Sequence, residues 1–202
     1  MRNGKPIYAP NPFSEKLGFD IKRQVNKAHT FDSFIYHFKD GSHVLALHRH
    51  RANKYFCRID ITRFFYSIQR NRLKRVLKDL GIFRAEYYAK WSTVKNPYEG
   101  GGYVIPYGFV QSPILATLVF SKSAIGNYLR GLDPAITVSV YMDDICLSAN
   151  DLEALKVAFD GLLAAVEEAG FSLNDDKTRR PAEAIDIFNC SLEQGDTKVL
   201  QD

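Results

Sequence analysis

Two adjacent aspartates, Asp143 and Asp144, stand between two apolar β segments, and no other feature of the 202-residue sequence restricts the fold as strongly. Ile136 to Val140 alternates and is β-branched, which predicts a strand, and Ile145 to Leu147 predicts a second, short one. Side chains alternate across a strand, so neighbouring acids reach one cation only where the chain turns. Tyr141-Met142-Asp143-Asp144 therefore reads as the turn of a strand–turn–strand unit. A solvated hairpin turn would also accommodate the two acids. Against that, Tyr141 and Met142 are not turn formers, and neither Gly nor Asn follows Asp144. A third acid, Asp60, ends another aromatic and β-branched strand, Tyr55 to Ile59. Three carboxylates at the ends of neighbouring strands form an oxygen-rich site for hard divalent cations such as Mg²⁺. Two such ions, roughly 3.5–4 Å apart, stabilise the attacking and leaving oxygens of a phosphoryl transfer.

The remaining pattern predicts an α+β domain with helices on one face of an antiparallel sheet. Residues 1–20 hold three prolines and read as an irregular lead-in, and 21–56 are basic and aromatic. Leu73, Val76, Leu77 and Leu80 fall at helical spacing before Gly81. Residues 96–108 are rich in Gly and Pro and read as a loop, with a short strand at Tyr103-Val104-Ile105. Ser112-Pro113 opens a long apolar helix to about Leu129. Asn150 and Glu153 form a capping box for a further helix that Gly170 ends. One or two short strands follow Ile185. The net charge of +4 suits a polyanionic partner without requiring one. Cys57, Cys146 and Cys190 form no CxxC pair and read as buried, reduced thiols, which argues against a zinc site and for a cytoplasmic setting. No apolar run is long enough to span a membrane, and the N-terminus lacks a signal-peptide core.

Four segments resemble those of reverse transcriptases. Tyr141-Met142-Asp143-Asp144 resembles the catalytic YxDD motif. Arg58-Ile59-Asp60-Ile61-Thr62-Arg63-Phe64-Phe65 resembles the first catalytic motif of bacterial retron and group II intron enzymes. Ile105 to Ala116 is similar to the Pro-Gln-Gly…Ser-Pro motif, and Gly170 to Thr178 to the motif after the YxDD helix. All four occur in family order across about residues 55–180. The resemblance implies a right-hand polymerase with fingers and a ferredoxin-like palm. Residues 1–56 are expected to be fingers-like and 57–202 palm, with fingers elements at about 82–108 and a thumb absent or minimal. It implies two Mg²⁺ ions, with Mn²⁺ as the alternative, held by Asp60, Asp143, Asp144 and the Ile61 carbonyl. Arg63, Phe64, Phe65, Tyr107 and Gly108 would form the nucleotide pocket, with Phe65 as the steric gate that selects dNTPs. Lys177 would protonate the pyrophosphate leaving group.

The departures from the family pattern are informative. Tyr107 replaces the usual Gln and offers one hydroxyl in place of an amide's donor and acceptor. Gln111 is the candidate to substitute for it. Gly4 to Pro10 resembles the end of the fingers motif without its arginine. Lys5, Arg49, Arg51 and Lys54 are the candidates for nucleic-acid contact there, although His48-Arg49-His50-Arg51 is equally a solvated basic face. Ile187-Phe188-Asn189-Cys190 falls where a primer grip is expected. The implied activity is RNA-directed DNA synthesis from dNTPs, on an RNA template (a dedicated non-coding RNA is one form) that yields a DNA product. A protein partner or oligomer would supply the thumb, and small enzymes of this kind resemble those of antiphage systems. Untemplated or protein-primed nucleotide addition, and a non-catalytic nucleic-acid-binding subunit, are the alternatives.

Overall fold

A computed structural model describes residues 6–40, 42–98, 100–187, 190–193 and 196–199. Lys5, Phe188 and Asn189 lie outside the described residues. The chain divides into two compact units, Met1–Phe31 with Arg63–Lys122, and Asp32–Thr62 with Ser123–Asp202. The division differs from the expected boundary at residue 56. Residues 32–62 join the C-terminal part because their strand pairs there.

The second unit is built on a four-stranded antiparallel sheet in the order β4 (Thr137–Tyr141), β5 (Asp144–Ala149), β1 (Tyr55–Asp60), β6 (Arg179–Ala182). The β1–β5 ladder runs unbroken from Tyr55 opposite Ala149 to Asp60 opposite Asp144. Alternation along it sets Phe56, Arg58 and Asp60 on one face with Asp144, Cys146 and Ser148, and Cys57, Ile59, Ile145 and Leu147 on the other. Helix α7 (Leu152–Glu168) packs along β1, β5 and β6, with α6 (Ala124–Arg130) beside it. Its stripe of Leu155, Ala158, Phe159, Leu162, Ala165 and Val166 is buried, as the periodicity predicts. The cap is Asp151 rather than Asn150. Its carboxylate accepts the N–H groups of Glu153 and Ala154, at 2.8 and 3.2 Å.

The helices are not confined to one face. Helix α2 (Ser42–His50) covers the face of Phe56 and Cys146, where Leu47 joins them in a cluster with Ile185, Ile187 and Leu192. That face also carries buried hydroxyls, and α2 brings the side chain that satisfies them. His50 lies 2.7 Å from Ser148 Oγ through Nδ1 and 2.7 Å from Ser139 Oγ through Nε2. Asn53 adds donors to Ser148 and Thr137. Among the described residues, β7 (Ala184–Ile187), β8 (Cys190–Glu193) and β9 (Asp196–Val199) follow, paired in sequence as a meander.

In the first unit, helix α1 (Pro12–Ala28) occupies much of the expected irregular lead-in. Asn11 caps it by accepting the Ser14 N–H at 2.8 Å, and Pro12 opens its first turn. The unit continues with a 3₁₀ turn (Phe64–Ser67), α3 (Arg70–Asp79), α4 (Ala85–Trp91), a hairpin of β2 (Val94–Lys95) and β3 (Tyr103–Val104), and α5 (Ser112–Ser121). The predicted long helix from Ser112 is broken. Ser123 adopts extended backbone (φ −94°, ψ 174°) and starts α6 afresh. Among the described residues no helix is long and apolar enough to cross a membrane. Cys57, Cys146 and Cys190 are free thiols, and burial pushes Cys57 up to about 12.

Burial, with Arg49 nearby, pushes the His50 ring down to about 4 from 6.5. Above pH 6.5 the ring is neutral in folded and unfolded chains alike and its contribution is complete. As pH falls from 6.5 to about 4 the unfolded chain takes up the proton first, and about 3 kcal/mol of stability is lost. Denaturant melts between pH 7 and 4 are expected to show this loss, with a shallower slope in His50→Gln.

Candidate active site

The site is assembled by backbone pairing at one end of the four-stranded sheet. Asp60 is the last residue of β1 and Asp144 the first of β5, and the two face each other in register. Such antiparallel partners have Cα atoms about 4.5–5.5 Å apart. Asp143 lies in the turn before them, and its carbonyl accepts the Ile61 N–H at 3.0 Å. On the other side, Thr62 donates to Ser172 O at 2.8 Å and Asn174 to Asp60 O at 2.9 Å. The Gly170–Thr178 segment is thereby fastened beside β1, and Lys177 is carried to the site.

Met142 makes the turn possible. It adopts φ +57°, the left-handed region that a non-glycine residue enters at a cost of roughly 1–3 kcal/mol. Its N–H is accepted by His37 Nδ1 at 3.1 Å. Burial keeps that imidazole neutral, pushed down to about 4, against a hydrogen bond to the Val140 backbone that acts the other way.

The carboxylates are matched by two cations of the chain itself. Arg58, two residues before Asp60 on the same face, directs Nε (2.7 Å) and Nη2 onto Asp144 Oδ1, and Nη1 onto the Asp186 carbonyl. Lys177 Nζ lies 3.4 Å from Asp60 Oδ2, with the lysine half-exposed and Asp60 buried. Burial raises the Asp144 carboxyl; Arg58 opposes the rise, Asp60 adds to it and Lys177 opposes it. The expected convergence of three carboxylate side chains is not found. Among the described residues, no three His, Cys, Asp or Glu side chains lie close enough to hold an ion between them. The Asp144 carboxylate is engaged by Arg58 instead. The donor set nonetheless suits a hard cation, because two register-paired carboxylates already draw positive charge to themselves.

The other expected site residues lie in the first unit. Arg63 opens the 3₁₀ turn in a left-handed conformation (φ +49°) and stacks its guanidinium 3.9 Å from the Tyr98 ring centroid. Phe64 is a core residue, packed edge-on to Phe120. Phe65 is 8% exposed and meets Tyr107 edge-on at 4.5 Å, and Tyr107 also contacts Tyr66. Tyr107 thus braces the Phe65 ring. Gly108 has φ +102°, and a Cβ there would sit 2.1 Å from the Tyr8 carbonyl oxygen. Its position demands glycine because residues 6–10 pass directly over it, with Tyr8 N–H on Tyr107 O at 2.9 Å. Gln111 is fully buried, donating to Ser92 Oγ at 3.3 Å, with its oxygen against Gly18. It is drawn into packing and does not replace the missing amide.

The basic candidates do not form one patch. Arg49 lines a cavity of about 400 Å³ with Ser33, Tyr36 and Lys39, whereas Lys54 lines another with Glu183 and Glu193. Arg51 is exposed in the turn after α2, and His50 faces inward.

Arg58 and His37 were not predicted as site residues. Arg58 carried a signal, a cation spaced two residues from Asp60 on one strand face. His37 carried none. Removal of the guanidinium leaves Asp144 largely buried and without that partner. Arg58→Gln is therefore expected to lower stability by about 2 kcal/mol, less than for a fully buried pair, as measured by urea unfolding at pH 7.

The chain resembles known proteins along most of its length. The family described as "Reverse transcriptase (RNA-dependent DNA polymerase)" matches residues 15–187. Retron Ec86 reverse transcriptase of Escherichia coli is 30% identical over 135 residues, covering 64% of this chain and 39% of that protein. The Gag-Pol polyprotein of Rous sarcoma virus subgroup C (strain Prague) is 32% identical over 77 residues, 38% of this chain and 5% of the polyprotein. The chain thus spans well under half the length of these curated relatives. Among solved structures, telomerase from Candida albicans in complex with a fragment of telomeric RNA shares the fold at a TM-score of 0.61 and 12% identity, covering 94% of this chain and 39% of that one. The foamy viral protease-reverse transcriptase in complex with an RNA/DNA hybrid does so at 0.52 and 21%, covering 76% and 18%. The chain belongs to the reverse transcriptase (RNA-dependent DNA polymerase) family.

Proposed function

We propose that this chain is the catalytic core of an RNA-directed DNA polymerase, adding dNTPs to a primer 3′-OH. The observation that carries the reading is the register of β1 against β5, which sets Asp60 opposite Asp144 with Asp143 in the adjoining turn. Family membership supports it, and the foamy viral enzyme's RNA/DNA hybrid suggests a heteroduplex as the bound nucleic acid.

Asp60, Asp143 and Asp144, with the Ile61 carbonyl, are the proposed ligands of two Mg²⁺ ions, which Mn²⁺ can replace. When bound, the ions would supply Lewis-acid charge to the phosphoryl transfer. The primer 3′-hydroxyl gives its proton to solvent water, its oxygen bonds to the α-phosphorus of the dNTP, and the bond from that phosphorus to the bridging oxygen breaks to release pyrophosphate. Lys177, beside Asp60 and half-exposed, is placed to give a proton to the departing pyrophosphate. Backbone N–H groups at Arg63 and Phe64 meet the triphosphate. Phe65, held edge-on by Tyr107, closes the space a ribose 2′-hydroxyl needs. Charge-matching by Arg58 and Lys177 keeps the carboxylates folded in place until substrate arrives.

Two substitutions test this reading. Asp143→Asn is expected to bring incorporation to background while the melting temperature stays near that of the wild type. Retained synthesis would remove the assignment. Phe65→Val is expected to raise the use of NTPs relative to dNTPs by roughly 10- to 100-fold in kcat/KM. An unchanged ratio would show that selection lies elsewhere.

A further inference from the structure

The segment before α2 contains no motif, yet it reaches the most constrained residue of the site. Residues 34–37 run along the outer edge of β4. Val140 N–H donates to Phe34 O at 2.8 Å, Tyr36 N–H donates to Val140 O at 2.9 Å, and Ile35 pairs with Val140 in a parallel bridge. This pairing delivers His37 beside the turn. Its ring stands edge-on to Tyr141, with centroids 5.9 Å apart at 80°, and its Nδ1 accepts the Met142 N–H at 3.1 Å. Met142 is the left-handed residue on which the direction of the following aspartates depends. A left-handed non-glycine residue persists only where its surroundings hold it.

We propose that His37 is a positioning residue for the acidic turn, fixing the orientation of Asp143 and Asp144 by accepting the Met142 N–H. The role rests on the polymerase reading for its consequence but not for its geometry. Acceptance at Nδ1 requires a neutral ring protonated at Nε2. The contact that carries this role is to the backbone of Met142, the residue before the two aspartates. Space-filling against Tyr141 would instead be a property of the ring, and the two roles call for opposite substitutions. Phe keeps the ring and lacks the acceptor, whereas Asn lacks the ring and offers Oδ1 close to where Nδ1 lies.

The test combines steady-state kinetics on a primed RNA with Mg²⁺ and hydrogen exchange at the Met142 amide, for wild type, His37→Phe and His37→Asn. His37→Phe is expected to lose about tenfold or more in kcat with the dNTP KM within about twofold, and His37→Asn to stay within about threefold of wild type. The Met142 amide is expected to exchange faster in the Phe variant and at nearly the wild-type rate in the Asn variant. Wild-type kcat in His37→Phe together with loss in His37→Asn overturns the proposal, as does unchanged Met142 exchange in His37→Phe. His37→Leu serves in the same comparison if the larger ring prevents folding. Absence of synthesis by the wild type itself counts against the polymerase reading alone, and the exchange comparison then decides the place of His37.

Discussion

The antiparallel ladder between β1 and β5 is the constraint on which the site depends. It joins two segments more than eighty residues apart in sequence and sets Asp60 against Asp144. A slip of one residue would turn every side chain of β1 to the other face, removing Arg58 and Asp60 from Asp144 and taking Cys57 and Ile59 out of the face that α7 covers. Such a slip is strongly opposed, because Ile59, Ile145 and Leu147 are fully buried on the face that α7 covers. Packing on one face of the sheet thereby fixes the chemistry on the other.

Two carboxylates placed this way repel each other, and the sequence carries the remedy within itself. Arg58 reaches Asp144 from the neighbouring pair on the same face, and Lys177 reaches Asp60 from the segment tied to β1 by Thr62 and Asn174. Both cations are on the strand or loop that also supplies a motif residue, so folding brings charge and counter-charge together. The cost of burying Asp60 is offset by a lysine that remains half in solvent.

Much of this was legible in the residues. The β-branched runs, the adjacent aspartates and Asp60 at a strand end located the sheet and its acids, and Leu73, Val76 and Leu77 gave a helix that the structure contains as Arg70–Asp79. What escaped notice had weak local signals. Helix α1 buries Ser14, Gly18, Ile21 and Val25, a stripe in which two members are not apolar, so its periodicity is faint despite the Asn11-Pro12 start. The break at Ser123 lies in the short polar interruption Ser121-Lys122-Ser123 between two apolar segments, too brief to announce a helix end, and coincides with the division between the two units. Placement of α2 on the sheet's second face depends on hydroxyls at 139 and 148 that only strand pairing brings to His50. Gln111 looked available because a glutamine in a loop usually is; its burial against Gly18 is a long-range fact. His37 depends on a parallel pairing across a hundred residues, which no local pattern announces.

The central claim is that the paired acids serve templated DNA synthesis. The most direct measurement is incorporation of labelled dNTPs and NTPs by the purified chain with Mg²⁺, on primed RNA, on primed DNA and without template. The account predicts dNTP incorporation whose product sequence is the complement of the RNA. Incorporation that proceeds equally without template, or binding of nucleic acid with no incorporation on any substrate, would contradict it.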